Sequence, residues 1–205
     1  MMRAPVHDLH VSNLLTYTAL AAAVAACMMA LDDSTRPLAA AAVALAAIAD
    51  TFDGAFARRF ARTPRQARCG TEIDSLVDAI AFGAAPLVVL FAAGPHDAIG
   101  AACLWIGGVA YALALITRLG FYNVEPDATA FVGAPAPAAA LVCLTALLLP
   151  SGPWTTTLSL LLAAALMLAP IRIPRPRGFG RAMFAVWPIA LIALHAGRYQ
   201  AVMSP

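Results

Sequence analysis

Charged side chains are scarce in this chain of 205 residues, and lysine is missing altogether. Aspartate, glutamate and arginine together make up 12% of the residues, whereas a soluble domain carries about 25% charged residues. This deficit argues against a separate soluble domain. The net charge of +2 is too small to indicate a nucleic-acid partner. The four cysteines have no CxxC or other metal-ligand spacing, so we interpret them as small core residues.

Apolar residues, in contrast, make up 62% of the chain, and the mean hydropathy is +0.81. A bilayer span needs roughly 20 mostly apolar residues, and seven stretches approach this length. They cover about residues 14–31, 38–60, 71–93, 98–122, 130–149, 153–170 and 182–200. We therefore predict an all-α, polytopic helical membrane protein with six to seven transmembrane helices. We expect residues 1–205 to form a single integral membrane domain.

The arginines are distributed unevenly over the loops that this topology defines. With the N-terminus inside, eleven of the thirteen fall on the cytoplasmic side: Arg3, Arg58, Arg59, Arg62, Arg65, Arg68, Arg118, Arg172, Arg175, Arg177 and Arg181. Arg36 and Arg198 fall on the opposite face. Cytoplasmic loops of membrane proteins carry an excess of basic residues. We therefore expect the loop between the second and third spans to face the cytoplasm, in a bacterial-type plasma membrane.

Four aspartates lie where the second and third spans approach this loop, namely Asp50, Asp53, Asp74 and Asp78. Residues three or four apart share a face of a helix, so each span carries one acidic stripe. At about 1.5 Å of rise per residue, Asp50 and Asp78 lie roughly 12–14 Å from the loop ends of their helices. The spans run antiparallel because their loop is short. We therefore expect the four carboxylates to converge in a polar, metal-binding cavity near the cytoplasmic face.

Ionised carboxylates inside a membrane are costly unless they face a polar cavity, a partner or a metal. Several converging oxygen donors suit a hard divalent cation such as Mg²⁺ or Mn²⁺. Gly54 and Ala57 leave space beside the acids, and Arg58 can bind a phosphate through two hydrogen bonds. Ion pairs between the acids and the loop arginines are an alternative. A cation transporter that uses intramembrane carboxylates is a more remote one.

Read as one string, these positions form Asp50-x2-Asp53-Gly54-x2-Ala57-Arg58-x11-Gly70-x3-Asp74-x3-Asp78. The string resembles the signature of the CDP-alcohol phosphatidyltransferases, D-x2-D-G-x2-A-R, a spacer, and G-x3-D-x3-D. Four further stretches are similar to the branch of CDP-diacylglycerol–serine O-phosphatidyltransferases. They are NLLT at 13–16, EIDSLVDAIAFGAAP at 72–86, RLGFYNV at 118–124 and FVGAPAPAAA at 131–140.

The resemblance implies that a phosphatidyl group is transferred from CDP-diacylglycerol to a small alcohol, with release of CMP. It also implies divalent metal ions at the diphosphate and a homodimer. By resemblance the metal ligands are Asp50, Asp53, Asp74 and Asp78, and Asp78 is the general base for the hydroxyl proton. Gly54, Ala57, Arg58 and Gly70 are expected to border the nucleotide and its phosphates, while Arg118 and Asn123 are candidates for acceptor binding.

The acceptor is the least determined part of this assignment. Phe121 stands where the serine branch has a second arginine, and Ala81 stands where it has a serine. Loss of a guanidinium weakens the assignment of L-serine, so glycerol phosphate, inositol phosphate or a choline-like alcohol stays open. Arg118 is the only basic residue in the fourth and fifth predicted spans, which favours a small unphosphorylated alcohol.

Overall fold

The computed structural model describes residues 8–94, 97–124, 130–149, 153–174 and 179–203. Within these ranges the chain forms seven α-helices. They are α1 (Leu14–Leu31), α2 (Arg36–Ala57), α3 (Pro64–Ala93), α4 (Ala98–Val124), α5 (Ala136–Ala146), α6 (Pro153–Leu168) and α7 (Phe179–Met203). A 3₁₀ turn, Val11–Asn13, precedes α1, and two antiparallel strands, β1 (Ala130–Val132) and β2 (Arg172–Pro174), pair with each other.

The first four helices, α1 to α4, are long and apolar enough to cross a membrane. The helices α5 and α6 are apolar but shorter. The architecture is therefore predominantly helical, as the sequence predicts, and it fits an integral membrane protein. Three of the arginines that predict the orientation, Arg3, Arg175 and Arg177, lie outside the described residues.

The prediction of a helix over residues 130–149 is wrong at its start. Residues 130–132 form β1 instead, and the helix begins only at Ala136. Gly133 has a φ of 75°, which a residue with a side chain rarely adopts and which no right-handed helix contains. The small sheet is also an exception to the all-α prediction. Apolar periodicity does not reveal such a short strand between two helices.

Alanine allows the helices to pack closely. Helix α1 packs along α2, α2 also contacts α7, and α4 packs along α6. Several alanines at these contacts are completely buried: Ala23, Ala26, Ala44 and Ala47. Small side chains let helix backbones approach one another, which stabilises helix association in lipid.

The connection between α2 and α3 sets the geometry of the acidic stripes. Helix α2 ends at Ala57, and α3 begins with a capping box in which Thr63 and Gln66 each bond the other's backbone N–H. Pro64 occupies the first turn of α3, where no intrahelical N–H is needed. Arg65 then binds Asp8 at 2.6 and 2.9 Å and ties the N-terminal segment to α3. The short connection makes α2 and α3 antiparallel neighbours.

Helix α3 contains a π-helical segment, Ala79–Ala84, that starts directly after Asp78. The wide turn is supported by α4, because the hydroxyl of Tyr111 donates to the carbonyl of Phe82 at 2.6 Å. A Cβ at Gly83 would lie 2.7 Å from Leu115 Cδ2, so the buried side chain of Leu115 would have to shift to admit any larger residue. π-Helical turns are frequent at functional sites, since they change the direction of side chains within one helix.

Strand β1 is fixed against the end of α6. The N–H of Gly133 donates to the carbonyl of Ile171 at 2.8 Å, and the N–H of Ala134 donates to the carbonyl of Leu166 at 2.8 Å. A Cβ on Gly133 would collide with the carbonyl of Met167. Strand β1 and Gly133 are therefore held at a fixed position beside the end of α6.

Candidate metal and substrate site

The four predicted aspartates come together between α2 and α3. One carboxylate oxygen from each of Asp50, Asp74 and Asp78 lies within 4.8 Å of the others. The side chains of Asp50 and Asp78 are within hydrogen-bonding distance, and so are those of Asp53 and Asp74. The two acidic stripes thus face each other rather than diverge.

The three clustered oxygens have the spacing that a single divalent cation requires. Oxygen ligands bind Mg²⁺ or Ca²⁺ at about 2.0–2.6 Å, so two ligands of one ion are at most about 4–5 Å apart. Ionised carboxylates at this distance repel one another unless a cation lies between them. Asp53 is outside the group of three and accepts a hydrogen bond from Thr16 Oγ1 at 3.3 Å. The acidic group of Asp50, Asp74 and Asp78 could therefore bind a metal ion, with Asp53 beside it.

The α2 side of the acids is open, as the small residues predict. A Cβ at Gly54 would meet only Arg58 Nη1, at the ordinary contact distance of 3.5 Å. Ala57 is partly buried, and Arg58 caps the end of α2 with an exposed side chain. A phosphate group near Gly54 would have a guanidinium within reach and no bulky side chain in its way.

Gly70, on the α3 side, lies against a buried amide. A Cβ at Gly70 would be 3.0 Å from Asn13 Oδ1 and 3.8 Å from Arg62 Nη1. Asn13 is only 4% exposed, and its Oδ1 accepts a hydrogen bond from Ser12 Oγ at 3.1 Å. Its Nδ2 has no hydrogen-bond partner among the described residues. A buried donor of this kind is costly unless a ligand or water satisfies it, so a ligand acceptor beside Gly70 would fit.

The two candidate acceptor residues occupy different surroundings. Arg118 is 7% exposed and lies close enough to Asp50 and Asp78 to interact with both electrostatically. Asn123 is exposed, and its Oδ1 accepts a hydrogen bond from Ser75 Oγ at 2.9 Å. The structure therefore brings Arg118 to the acidic cluster, whereas Asn123 lies at the edge, beside the α3 turn that joins Asp74 to Asp78.

Three residues that adjoin these groups were not assigned from the sequence. Asn13 and Thr16 are the first and last residues of the NLLT stretch, which contributes only to the family resemblance. Tyr122 lies in the RLGFYNV stretch and packs against Arg118. Their contacts depend on how α1 and β1 lie against the acidic helices, and the spacing of residues carries no such information. The sequence signal that could have indicated these residues is a polar side chain inside an apolar stretch.

The chain as a whole is similar to known proteins. A family model described as CDP-alcohol phosphatidyltransferase matches residues 9–171. A CDP-diacylglycerol–serine O-phosphatidyltransferase of Mycobacterium bovis is 32% identical over 202 residues, covering 87% of this chain and 68% of the relative. The protein with the same description from Mycobacterium tuberculosis gives the same values. The one from Mycobacterium leprae is 34% identical over 175 residues, covering 78% of this chain and 56% of the relative.

Proposed function

The chain belongs to the CDP-alcohol phosphatidyltransferase family, and we propose that it transfers the phosphatidyl group of CDP-diacylglycerol to L-serine. The products are phosphatidylserine and CMP. One observation supports this proposal most directly. Carboxylate oxygens from Asp50, Asp74 and Asp78 lie within 4.8 Å of one another, beside the open face at Gly54. The relatives described as serine O-phosphatidyltransferases support serine as the acceptor.

The proposed metal ligands are Asp50, Asp53, Asp74 and Asp78, and the proposed ion is Mg²⁺ or Mn²⁺. The oxygen spacing of the acidic group fits such an ion, and all-oxygen ligation is what these hard cations prefer. When bound, a divalent cation neutralises charge on the diphosphate of the substrate. Asp53 stays oriented toward this site through the hydrogen bond from Thr16.

The side chains around the acids bind and orient the nucleotide. Arg58 grips a phosphate, Gly54 and Ala57 leave room for it, and Gly70 lets the nucleotide approach the α3 backbone. The buried amide of Asn13 donates to the nucleotide beside Gly70, which satisfies its nitrogen. Fixing the nucleotide and the acceptor in line lowers the entropic part of the barrier.

Asp78 is the proposed general base. Its carboxylate takes the proton of the acceptor hydroxyl, the hydroxyl oxygen forms a bond to the phosphorus that carries the diacylglycerol, and the bond from that phosphorus to the CMP oxygen breaks. Arg118 lies near Asp78 and binds the acceptor, with Asn123 at the edge of the same region. This reaction releases one CMP for each lipid product formed.

Another alcohol is the second candidate acceptor. Phe121 is 46% exposed and supplies no charge where the serine branch has a second arginine. Glycerol phosphate, inositol phosphate or a choline-like alcohol would then replace serine in the same reaction. Membership in the family favours the transferase over the cation transporter as the explanation for these intramembrane carboxylates.

The proposed setting is a bacterial-type plasma membrane with the site open to the cytoplasm. Six to seven of the helices would cross the bilayer as a single domain over residues 1–205, and two copies would form a homodimer. The four long apolar helices and the arginines Arg58, Arg59, Arg62, Arg65 and Arg68 near the acidic cluster support this orientation.

The test uses purified full-length protein with CDP-diacylglycerol, Mg²⁺ or Mn²⁺, and a panel of alcohols. We expect metal-dependent CMP release and a lipid product that carries serine. A lipid product without serine would show that another alcohol is the acceptor, while the reaction class would stand. Absence of CMP release with every alcohol and both metals would contradict the proposed function itself.

A further inference from the structure

The guanidinium of Arg118 is held against two aromatic rings. Its Cζ lies 4.7 Å from the centre of the Tyr122 ring and 6.0 Å from that of Phe131. Arg118 and Tyr122 are one helical turn apart on α4, so they share a face of that helix. Contacts between a cation and an aromatic face attract the cation electrostatically, and more strongly where water is excluded. The rings therefore restrict a side chain that would otherwise be flexible.

Tyr122 is itself fixed at its hydroxyl. The hydroxyl donates to the carbonyl of Val132 at 3.1 Å and accepts a hydrogen bond from the N–H of the same residue. Val132 belongs to β1, which pairs with β2 and is anchored at Gly133 to the end of α6. The Tyr122 ring is thus attached to α4 at one end and to β1 at the other.

We infer that Tyr122 is a positioning residue that holds Arg118 as the anchor for an anionic group of the acceptor, beside Asp78. The inference rests on the proposed function and narrows it to acceptors that carry a carboxylate or phosphate. A planar guanidinium binds either anion through two parallel hydrogen bonds. The rings of Tyr122 and Phe131 restrict the position of the guanidinium, so they also restrict where such an anion binds.

The observations favour this role over simple packing for two reasons. Arg118 is the basic residue whose charge acts on both Asp50 and Asp78, so an anion bound to it lies near the proposed base. The ring that holds Arg118 carries a hydroxyl with two backbone hydrogen bonds, although a phenylalanine would supply the same face. The ring alone would provide the contact with Arg118. The hydroxyl in addition fixes the position of the ring.

The experiment compares three variants of full-length protein in vesicles with CDP-diacylglycerol and Mn²⁺. Tyr122→Leu removes the ring, and Tyr122→Phe keeps the ring but loses both hydrogen bonds to Val132. Phe121→Leu is the matched control, since its ring contacts Tyr122 rather than Arg118. The acceptors are L-serine and L-serinamide, which differ in the carboxylate, and sn-glycerol 3-phosphate and glycerol, which differ in the phosphate.

We expect Tyr122→Leu to raise the KM of the preferred anionic acceptor about 10- to 30-fold. Tyr122→Phe should raise it about threefold, as a partial rescue. Both should leave the KM of CDP-diacylglycerol within about twofold and reduce the preference for the anionic member of the pair. Phe121→Leu should match the wild-type protein. If Tyr122→Leu is too unstable to purify, Tyr122→Phe and Phe131→Leu give the same comparison.

Other results would overturn the inference. An unchanged acceptor KM would show that the ring does not position the anchor, and an equal rise in the KM of CDP-diacylglycerol would indicate a general distortion. A wild-type preference for serinamide or glycerol would show that the acceptor is not anionic, while the reaction class would stand. Absence of CMP release from the wild-type protein would instead contradict the proposed function.

Discussion

Replacing Gly54 with alanine is expected to stabilise the protein and to weaken nucleotide binding. The new Cβ would lie 3.5 Å from Arg58 Nη1, an ordinary contact, so the ligand-free protein has room for it. Alanine in a helix is favoured over glycine by about 0.5–1 kcal/mol. For a chain of this size such a gain raises the melting temperature by about 1–4 °C.

The same methyl group would occupy the open face where the nucleotide phosphates are proposed to lie. Extra methyl groups in a packed site cost about 1–3 kcal/mol, which corresponds to an affinity for CMP about 5- to 150-fold lower. The assays are thermal unfolding of the detergent-solubilised protein and titration with CMP in the presence of Mn²⁺. Stability and binding should therefore change in opposite directions.

Gly197→Ala is the matched control, because Gly197 lies within α7 and a Cβ there would meet nothing within 4 Å. It should give a similar gain in melting temperature and leave CMP binding unchanged. The reasoning would be refuted if Gly54→Ala bound CMP as tightly as the wild-type protein. A melting temperature lowered by several degrees would contradict the steric part of the argument.

Three further substitutions test other parts of the site and fold. Asp78→Asn should keep CMP binding and lower kcat about 10²- to 10⁴-fold, measured as CMP release; substantial turnover would exclude Asp78 as the base. Asn13→Asp should weaken CMP binding in a titration, because it replaces the buried donor with an acceptor and adds negative charge; unchanged binding would show that the amide does not contact the nucleotide. Gly133→Ala should lower the melting temperature, since the φ of 75° costs a side chain about 1–2 kcal/mol and the Cβ meets the carbonyl of Met167; an unchanged melting temperature would mean that β1 relaxes at no cost.

The acidic cluster could be predicted from the sequence because helical geometry is regular. A spacing of three or four residues fixes the face on which Asp50 and Asp53 lie, and a short loop fixes the direction of the next helix. The aspartates of α3 then have to meet those of α2 at a similar depth. The open space at Gly54 could be predicted in the same way. Gly54 lies on the same face of the helix as the aspartates, and glycine has no side chain to fill the space beside them.

The surroundings of Arg118 could not be predicted in this way. Its partners Tyr122 and Phe131 are brought together by strand β1, which lies in a stretch that reads as continuous apolar helix. The strand ends at Gly133, whose backbone conformation no periodicity records. Asn13 was missed for a similar reason, because its burial against Gly70 depends on the packing of α1 and not on the order of residues.

The wide turn at Ala79–Ala84 also limits which insertions and deletions the chain can accept. The π-helical turn already holds one residue more than regular winding and can lose it with little rotation. Removing one residue from the regular turns of α3, in contrast, would rotate the half that carries Asp74 and Asp78 by about 100° relative to the other half. One half packs around the acids and the other around Tyr111 and Leu115, so the two could no longer keep their present neighbours together. The loop between α2 and α3 can vary in length, whereas the regular turns of α3 on either side of the wide turn have to retain their residue count.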